Sequence, residues 1–190
     1  RTCTNSNLSD TSDVLTVTLS PGTSCYCEPV YDWGCSNGAR VDGVTTTFGL
    51  TNISNTGTGC TDLDATGYSD YSATHSASAA HSTMMNVKVD VGNYAGGVKV
   101  WIDWNQNGIF EASEMVAESP ATIPQGSFYQ TDFMVPPTAA TGTTKMRVRV
   151  AESTTVFDPC SVGGYGEAED YEFVVIQGTP CAGMPNIDTI

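Results

Sequence analysis

Apolar and polar residues alternate with a period of two over several short stretches of this chain, and no segment carries a convincing helical period. Residues 13–19 alternate and are stopped by Pro21-Gly22. Residues 40–53 hold Val, Thr and Phe and predict two short strands broken at Gly43 or Gly49. Met85, Val87, Val89 and Val91 alternate with Asn86, Lys88 and Asp90. After a turn at residues 93–97, Val98, Val100 and Ile102 alternate with Lys99, Trp101 and Asp103, and the two runs are expected to form a hairpin. Further strands are predicted over 128–135, closed by Pro136-Pro137, over 144–150, and through Tyr171, Phe173 and Val175. Residues 25–37, 55–67 and 72–83 read as loops, and 112–117 as one helical turn at most. Short strands punctuated by turns predict an all-β fold, an antiparallel β-sandwich.

Composition sharpens this picture. Of 190 residues, 39% are hydrophobic and only 15% charged, which excludes a disordered polyelectrolyte or a coiled coil. Ser, Thr, Asn and 19 Gly fill the difference, as suits strands and turns. The net charge of −14 argues against nucleic acid and anionic membrane faces as partners. Bound cations would offset such a surplus, and calcium is the expected one outside cells. Seven Cys and only two His give no paired CxxC motif and poor material for a zinc site. Structural disulfides in an exported protein are the expectation. The start at Arg1, with no signal-like segment, reads as a processed or excised piece of something secreted. No run of about 18 apolar residues exists, so no membrane-spanning helix is predicted.

The sharpest motif runs from Asp103 to Glu114 and fits D-x-[DN]-x-[DN]-G-x5-E at every specified position. Calcium takes 6–8 hard oxygen ligands, roughly 2.3–2.6 Å away. Asp103, Asn105 and Asn107 offer side-chain oxygens, Ile109 its carbonyl, Glu111 a direct or water-mediated oxygen, and Glu114 two oxygens that close the site. Gly108 permits the sharp turn. With two or three carboxylates the affinity should be modest. The plainer alternative is a polar Asn-Gly turn with an acidic rim. The motif follows a strand, so a calcium loop inserted in a β domain is expected, not an EF-hand pair or a calcium switch.

Glu167, Glu169 and Asp170 form a second acidic segment. One reading makes them ligands of a cation or partner. The favoured one is a salt-bridged strand edge, with Arg147 and Arg149 opposite, worth roughly 0.2–1 kcal/mol per exposed pair.

Residues 101–110 (Trp-Ile-Asp-Trp-Asn-Gln-Asn-Gly-Ile-Phe) followed by Glu114 resemble the WIDWNxDGxF…E core of the GEVED domain family. Met146-Arg147-Val148-Arg149 resembles its RVR strand. Asp158-Pro159-Cys160, then residues 165–171, resemble its name-giving GEVEDY signature, and residues 68–71 its YSDY element. The resemblance covers 25–177, leaving 1–24 as an N-terminal strand or linker and 178–190 as a linker to a following module. It implies a β-sandwich module of large secreted and cell-surface bacterial proteins, with no defined molecular role. Asn107 stands where the family more often has Asp, one charge less for a cation, and Ala168 where it has Val. The tail resembles the start of a following module, which implies a partner for Cys181 beyond Ile190. Spacing leaves the disulfide connectivity open. The expected pairs are Cys35 with Cys60 and Cys27 with Cys160, and Cys3 with Cys25 would anchor the N-terminal strand.

No set of catalytic residues stands out. HExxH and phosphate-cradling glycine loops are absent from the sequence, and the expectation is a non-enzyme. The leading reading is a calcium-stabilised, non-catalytic extracellular module with an adhesive or structural role. Its partners would be neighbouring modules or copies of itself, and strand 13–19, donated to the next copy, would build a fibre. The alternative is a carbohydrate-binding accessory module of a secreted hydrolase or protease. Trp33, Tyr68, Tyr71, Trp101 and Trp104 are its candidate sugar-stacking faces, although one of Trp101 and Trp104 must face inward by alternation. A pro- or accessory domain of a metalloprotease is a third reading. Asn7 and Asn52 head N-glycosylation triplets, and residues 188–190 resemble an O-glycosylation triplet.

Overall fold

The computed structural model describes residues 26–60 and 66–178. The proposed 1–24 segment, the Cys3–Cys25 pair, strand 13–19, Asn7, Cys181 and the 188–190 triplet all lie outside them. In chain order the strands are β1 (Arg40–Thr47), β2 (Ser54–Thr56), β3 (Tyr68–Asp70), β4 (Ser76–Ala80), β5 (Met84–Gly92), β6 (Gly96–Ile102), β7 (Met115–Glu118), β8 (Ser127–Met134), β9 (Gly142–Glu152) and β10 (Gly166–Ile176). A 3-10 turn, Ala112–Glu114, precedes β7.

Two sheets face each other. The first has order β2-β1-β5-β8 and is antiparallel throughout. The second has order β3-β10-β9-β6-β7, and β4 also pairs with β10. Its outer edge departs from the antiparallel expectation, because β3 and β4 both run parallel to β10. Period-two alternation explains the core. Val87, Val89 and Val91 of β5 turn inward toward Val98 and Val100 of β6, Val148 and Val150 of β9 and Phe173 of β10. Each buried valine or phenylalanine contributes about 1.5–3 kcal/mol relative to exposure.

Two sequence expectations are corrected here. β5 and β6 do not form a hairpin. Residues 93–95 carry the chain from one sheet to the other, and β6 pairs with β9 and β7 while β5 pairs with β1 and β8. Alternation reveals which face is apolar, not which strand lies alongside, so facing strands and paired strands look alike in sequence. Residues 72–83 are not a simple exposed loop either. Ala77, Ser78 and Ala79 of β4 are buried beside β10, because small side chains let this strand close the sheet edge.

The outer face of the second sheet is also covered. It carries Lys99 and Trp101 from β6, Arg147 and Arg149 from β9, and Ala168 and Asp170 from β10. Of the two expected disulfides, Cys27–Cys160 ties the chain at 26–35 to this face, and Cys35–Cys60 links it to the segment that follows β2. Tyr31 is fully buried there, its hydroxyl donating to the carbonyls of Val150 and Glu167 and accepting from Arg149 Nε at 2.8 Å. Gly166 provides the floor, since a Cβ there would lie 2.2 Å from the Tyr31 ring.

Candidate cation-binding loop

β6 ends at Ile102, and the next residue, Asp103, is buried where the chain leaves the sheet. Its backbone is held by β9 on both sides: Asp103 N donates to the Lys145 carbonyl at 3.1 Å, and Thr144 Oγ1 donates to the Asp103 carbonyl at 2.6 Å. Short polar side chains then bend the chain through successive local hydrogen bonds. Asp103 Oδ1 accepts from Asn107 N at 3.2 Å, and Oδ2 from Gly108 N at 2.9 Å. Asn105 Oδ1 accepts from Asn107 N at 2.9 Å, and Asn107 Oδ1 from Ile109 N at 2.8 Å. Gly108 takes φ +83°, a left-handed conformation open to glycine at little cost.

Glu114 closes the loop. It is buried, with Oε1 accepting from Asn105 N at 3.2 Å and Oε2 from Glu111 N at 3.0 Å. Burial pushes its carboxyl up from the ordinary value. The two backbone donors pull it back, and the charges of Asp103 and Glu111 push it up again. Asn105 Nδ2 and Asn107 Nδ2 donate to the two oxygens of Glu111, at 3.0 and 3.2 Å. Among the described residues, none of these three carboxylates has an ion-pair partner. Amide and backbone N–H groups stand in for positive charge. Asp103, Asn105, Asn107, Ile109, Glu111 and Glu114 therefore belong to one closed turn, with Ile109 itself exposed. Among the described residues no three His, Cys, Asp or Glu side chains make a metal-holding group alone. A cation here would depend on amide and backbone oxygens as well, a donor set suited to a hard ion.

One contributor was missed in sequence. The Tyr26 hydroxyl donates to Asp103 Oδ2 across 77 positions. Burial, and then the Asp103 carboxylate, hold this phenol well above its ordinary pKa, so it stays a donor. No local spacing links positions so far apart.

The second acidic segment divides. Asp170 faces outward and pairs with Arg147 through Nε–Oδ1 at 2.7 Å and Nη2–Oδ2 at 2.8 Å, both side chains at 0% exposure. Tyr68 adds a donor to Asp170 Oδ2 at 2.8 Å. Glu167 and Glu169 face inward instead. Glu167 Oε2 accepts from Val41 N at 3.0 Å, and Glu169 Oε2 from the Tyr171 hydroxyl at 2.6 Å. The expected exposed, salt-bridged edge is thus an interior strand with a buried pair, because β3, β4 and the 26–35 segment cover it. The three acids do not converge, since neighbours on a strand point to opposite faces.

Among the candidate sugar-stacking rings, Trp101 and Trp104 are both buried, the first on the outer face near Phe157 and the second in the core against Phe173. Trp33 is 61% exposed. It stands 5.0 Å from Tyr165 at one side of a groove of about 610 Å³, also lined by Val156, Phe157, Val162 and Glu152. Hydrogen bonds from Asp32 N and Trp33 N to the Gly163 and Gly164 carbonyls hold its backbone in place.

Residues 97–174, which include the cation loop, Arg147 and the Glu167–Asp170 strand, match the model of the GEVED domain. That segment is similar to GEVED domains. The GEVED match supplies β6 to β10, so β1 and β5, which complete the facing sheet, lie outside it. The folded unit is larger than the matched segment. No curated protein matches the chain. Among solved structures, a family 123 glycoside hydrolase from Clostridium perfringens is similar at 12% identity, with a TM-score of 0.34. The alignment covers 60% of this chain and 23% of that one, and is too loose to carry an argument.

Proposed function

We propose that this chain is a calcium-stabilised, non-catalytic extracellular module with an adhesive or structural role. The observation that carries the reading is the loop 103–114, in which three carboxylates without ion-pair partners among the described residues and two Asn side chains close one turn. Asp103, Asn105, Asn107, the Ile109 carbonyl, Glu111 and Glu114 would hold the ion, which supplies the positive charge these oxygens lack. Two disulfides suit an oxidising compartment. No helix among the described residues is long and apolar enough to cross a membrane.

An ion that binds only the folded state stabilises it by mass action, by about 2.7 kcal/mol at a hundredfold excess over Kd. Calcium should therefore raise the melting temperature of the EDTA-treated protein, and Glu114→Ala should abolish the rise. Identical melting curves in calcium and in EDTA, with no heat of binding, refute the reading.

A second reading rests on Trp33. An exposed indole beside Tyr165 in an open groove suits a neutral pyranose ring, and the runner-up function is carbohydrate binding. Titration with a panel of neutral oligosaccharides should quench tryptophan fluorescence, and Trp33→Ala should weaken the affinity at least tenfold, about 1.4 kcal/mol. A panel without any ligand leaves the calcium module as the sole reading.

A further inference from the structure

Among the described residues, no backbone–backbone hydrogen bond holds positions 26–29. Side chains do the anchoring. Cys27 is bonded to Cys160, and Arg147 Nη1 approaches Cys27 Sγ at 3.1 Å. One residue earlier, Tyr26 projects into the base of the loop 103–114. Its hydroxyl donates to Asp103 Oδ2, which already accepts from Gly108 N at 2.9 Å. With two donors, this oxygen is saturated and the carboxylate cannot rotate freely. Oδ1, which among the described residues accepts only from Asn107 N at 3.2 Å, is left with acceptor capacity on the loop side.

The ring acts as well. Tyr26 lies 4.8 Å from Phe110, which is buried in the returning limb of the loop between Ile109 and Glu111. The Arg147 guanidinium packs on the same ring at 4.7 Å, itself held by Asp170. Phe110 is therefore gripped by an N-terminal residue and by the buried ion pair of β9 and β10. A loop of Asn and Gly has many conformations to lose on binding an ion, and prior ordering reduces that cost.

We propose that Tyr26 is a positioning residue for the cation loop and that the Cys27–Cys160 disulfide delivers it there. The inference rests on the calcium reading above and adds how the site is held. Hydrogen-bond partners of metal ligands are typically worth roughly 10- to 100-fold in affinity. Tyr26→Phe keeps the ring and removes the donor, so it should weaken calcium binding by that factor in calorimetry on the oxidised chain. The paired variant Cys27→Ser/Cys160→Ser should weaken binding too. Adding Tyr26→Phe to it should then cost markedly less than in the wild-type chain, because the tyrosine is no longer delivered. This non-additivity is a result that general loosening does not produce.

Melting curves in EDTA establish that each variant is folded, and if the serine pair is not, Tyr26→Phe alone decides. Tyr26→Phe with wild-type calcium affinity overturns the inference and leaves the calcium reading standing. Wild-type protein that binds no calcium overturns both.

Discussion

Asp170→Asn should destabilise the fold by roughly 3–5 kcal/mol, the usual cost of removing one partner from a buried ion pair. The size follows from where Arg147 sits. Its guanidinium is fully buried, clamped by Asp170 through two hydrogen bonds, and bonded further to the Pro159 carbonyl at 3.0 Å. Desolvation pulls the Arg147 pKa down, and Asp170 more than offsets it, so the side chain stays charged. Asparagine matches the shape of Asp170 but leaves that charge unpaired. Replacing both partners by apolar residues, Arg147→Met with Asp170→Leu, should recover most of the loss, since the desolvation cost goes with the pair. Urea unfolding in EDTA checks both, as a shift in midpoint at constant slope. A loss below about 1 kcal/mol for Asp170→Asn would mean that the pair behaves as a surface one.

The second large effect is a dependence on pH. Glu169 is fully buried between the sheets, and its Oε1 has no hydrogen-bond partner among the described residues. Burial pushes its carboxyl up to about 7. The Tyr171 and Thr58 hydroxyls pull it back, and the nearby Asp42 charge adds to the rise. The folded state thus holds this proton more tightly than the unfolded chain, whose glutamate titrates near 4.5. Below the unfolded value both states are protonated and Glu169 costs nothing. As pH rises from there through about 7, the stability contribution is lost, and above 7 the full penalty, roughly 3 kcal/mol, remains. Glu169→Gln should therefore be more stable than the wild type at pH 8 and nearly equal to it at pH 4. The difference between the two unfolding free energies isolates this group from every other titration. A difference that does not change with pH rules out Glu169 as its source.

Much of the site was legible because it is local. A cation loop needs oxygens at fixed spacings around a glycine, and residues 103–114 carry them in one run. The fold class was legible for the same reason, since β5, β6, β9 and β10 each alternate with period two. Parity also places Glu167 and Glu169 on the face of Tyr171 and Phe173, and Asp170 on the other. What parity lacks is a sense of cover. Both faces of the second sheet are buried, one by the first sheet and one by the disulfide-tied 26–35 segment and the chain around Cys160. A pair expected to be exposed is therefore buried and closed by two hydrogen bonds.

The sequence by itself determined the alternating strands β5, β6, β8, β9 and β10, the two faces of each, and the closed turn of the candidate cation loop. These follow from backbone geometry and from chemistry within a few residues. Only the tertiary structure decided that β5 and β6 face each other across the core, that β3 and β4 run parallel to β10, and that Arg147 is buried. It alone brought Tyr26 to Asp103. The reason is that each of these depends on chain closure over many tens of residues, where the apolar pattern is satisfied equally by several neighbours. The choice among them is made by how two sheets and their covering loops fill one volume.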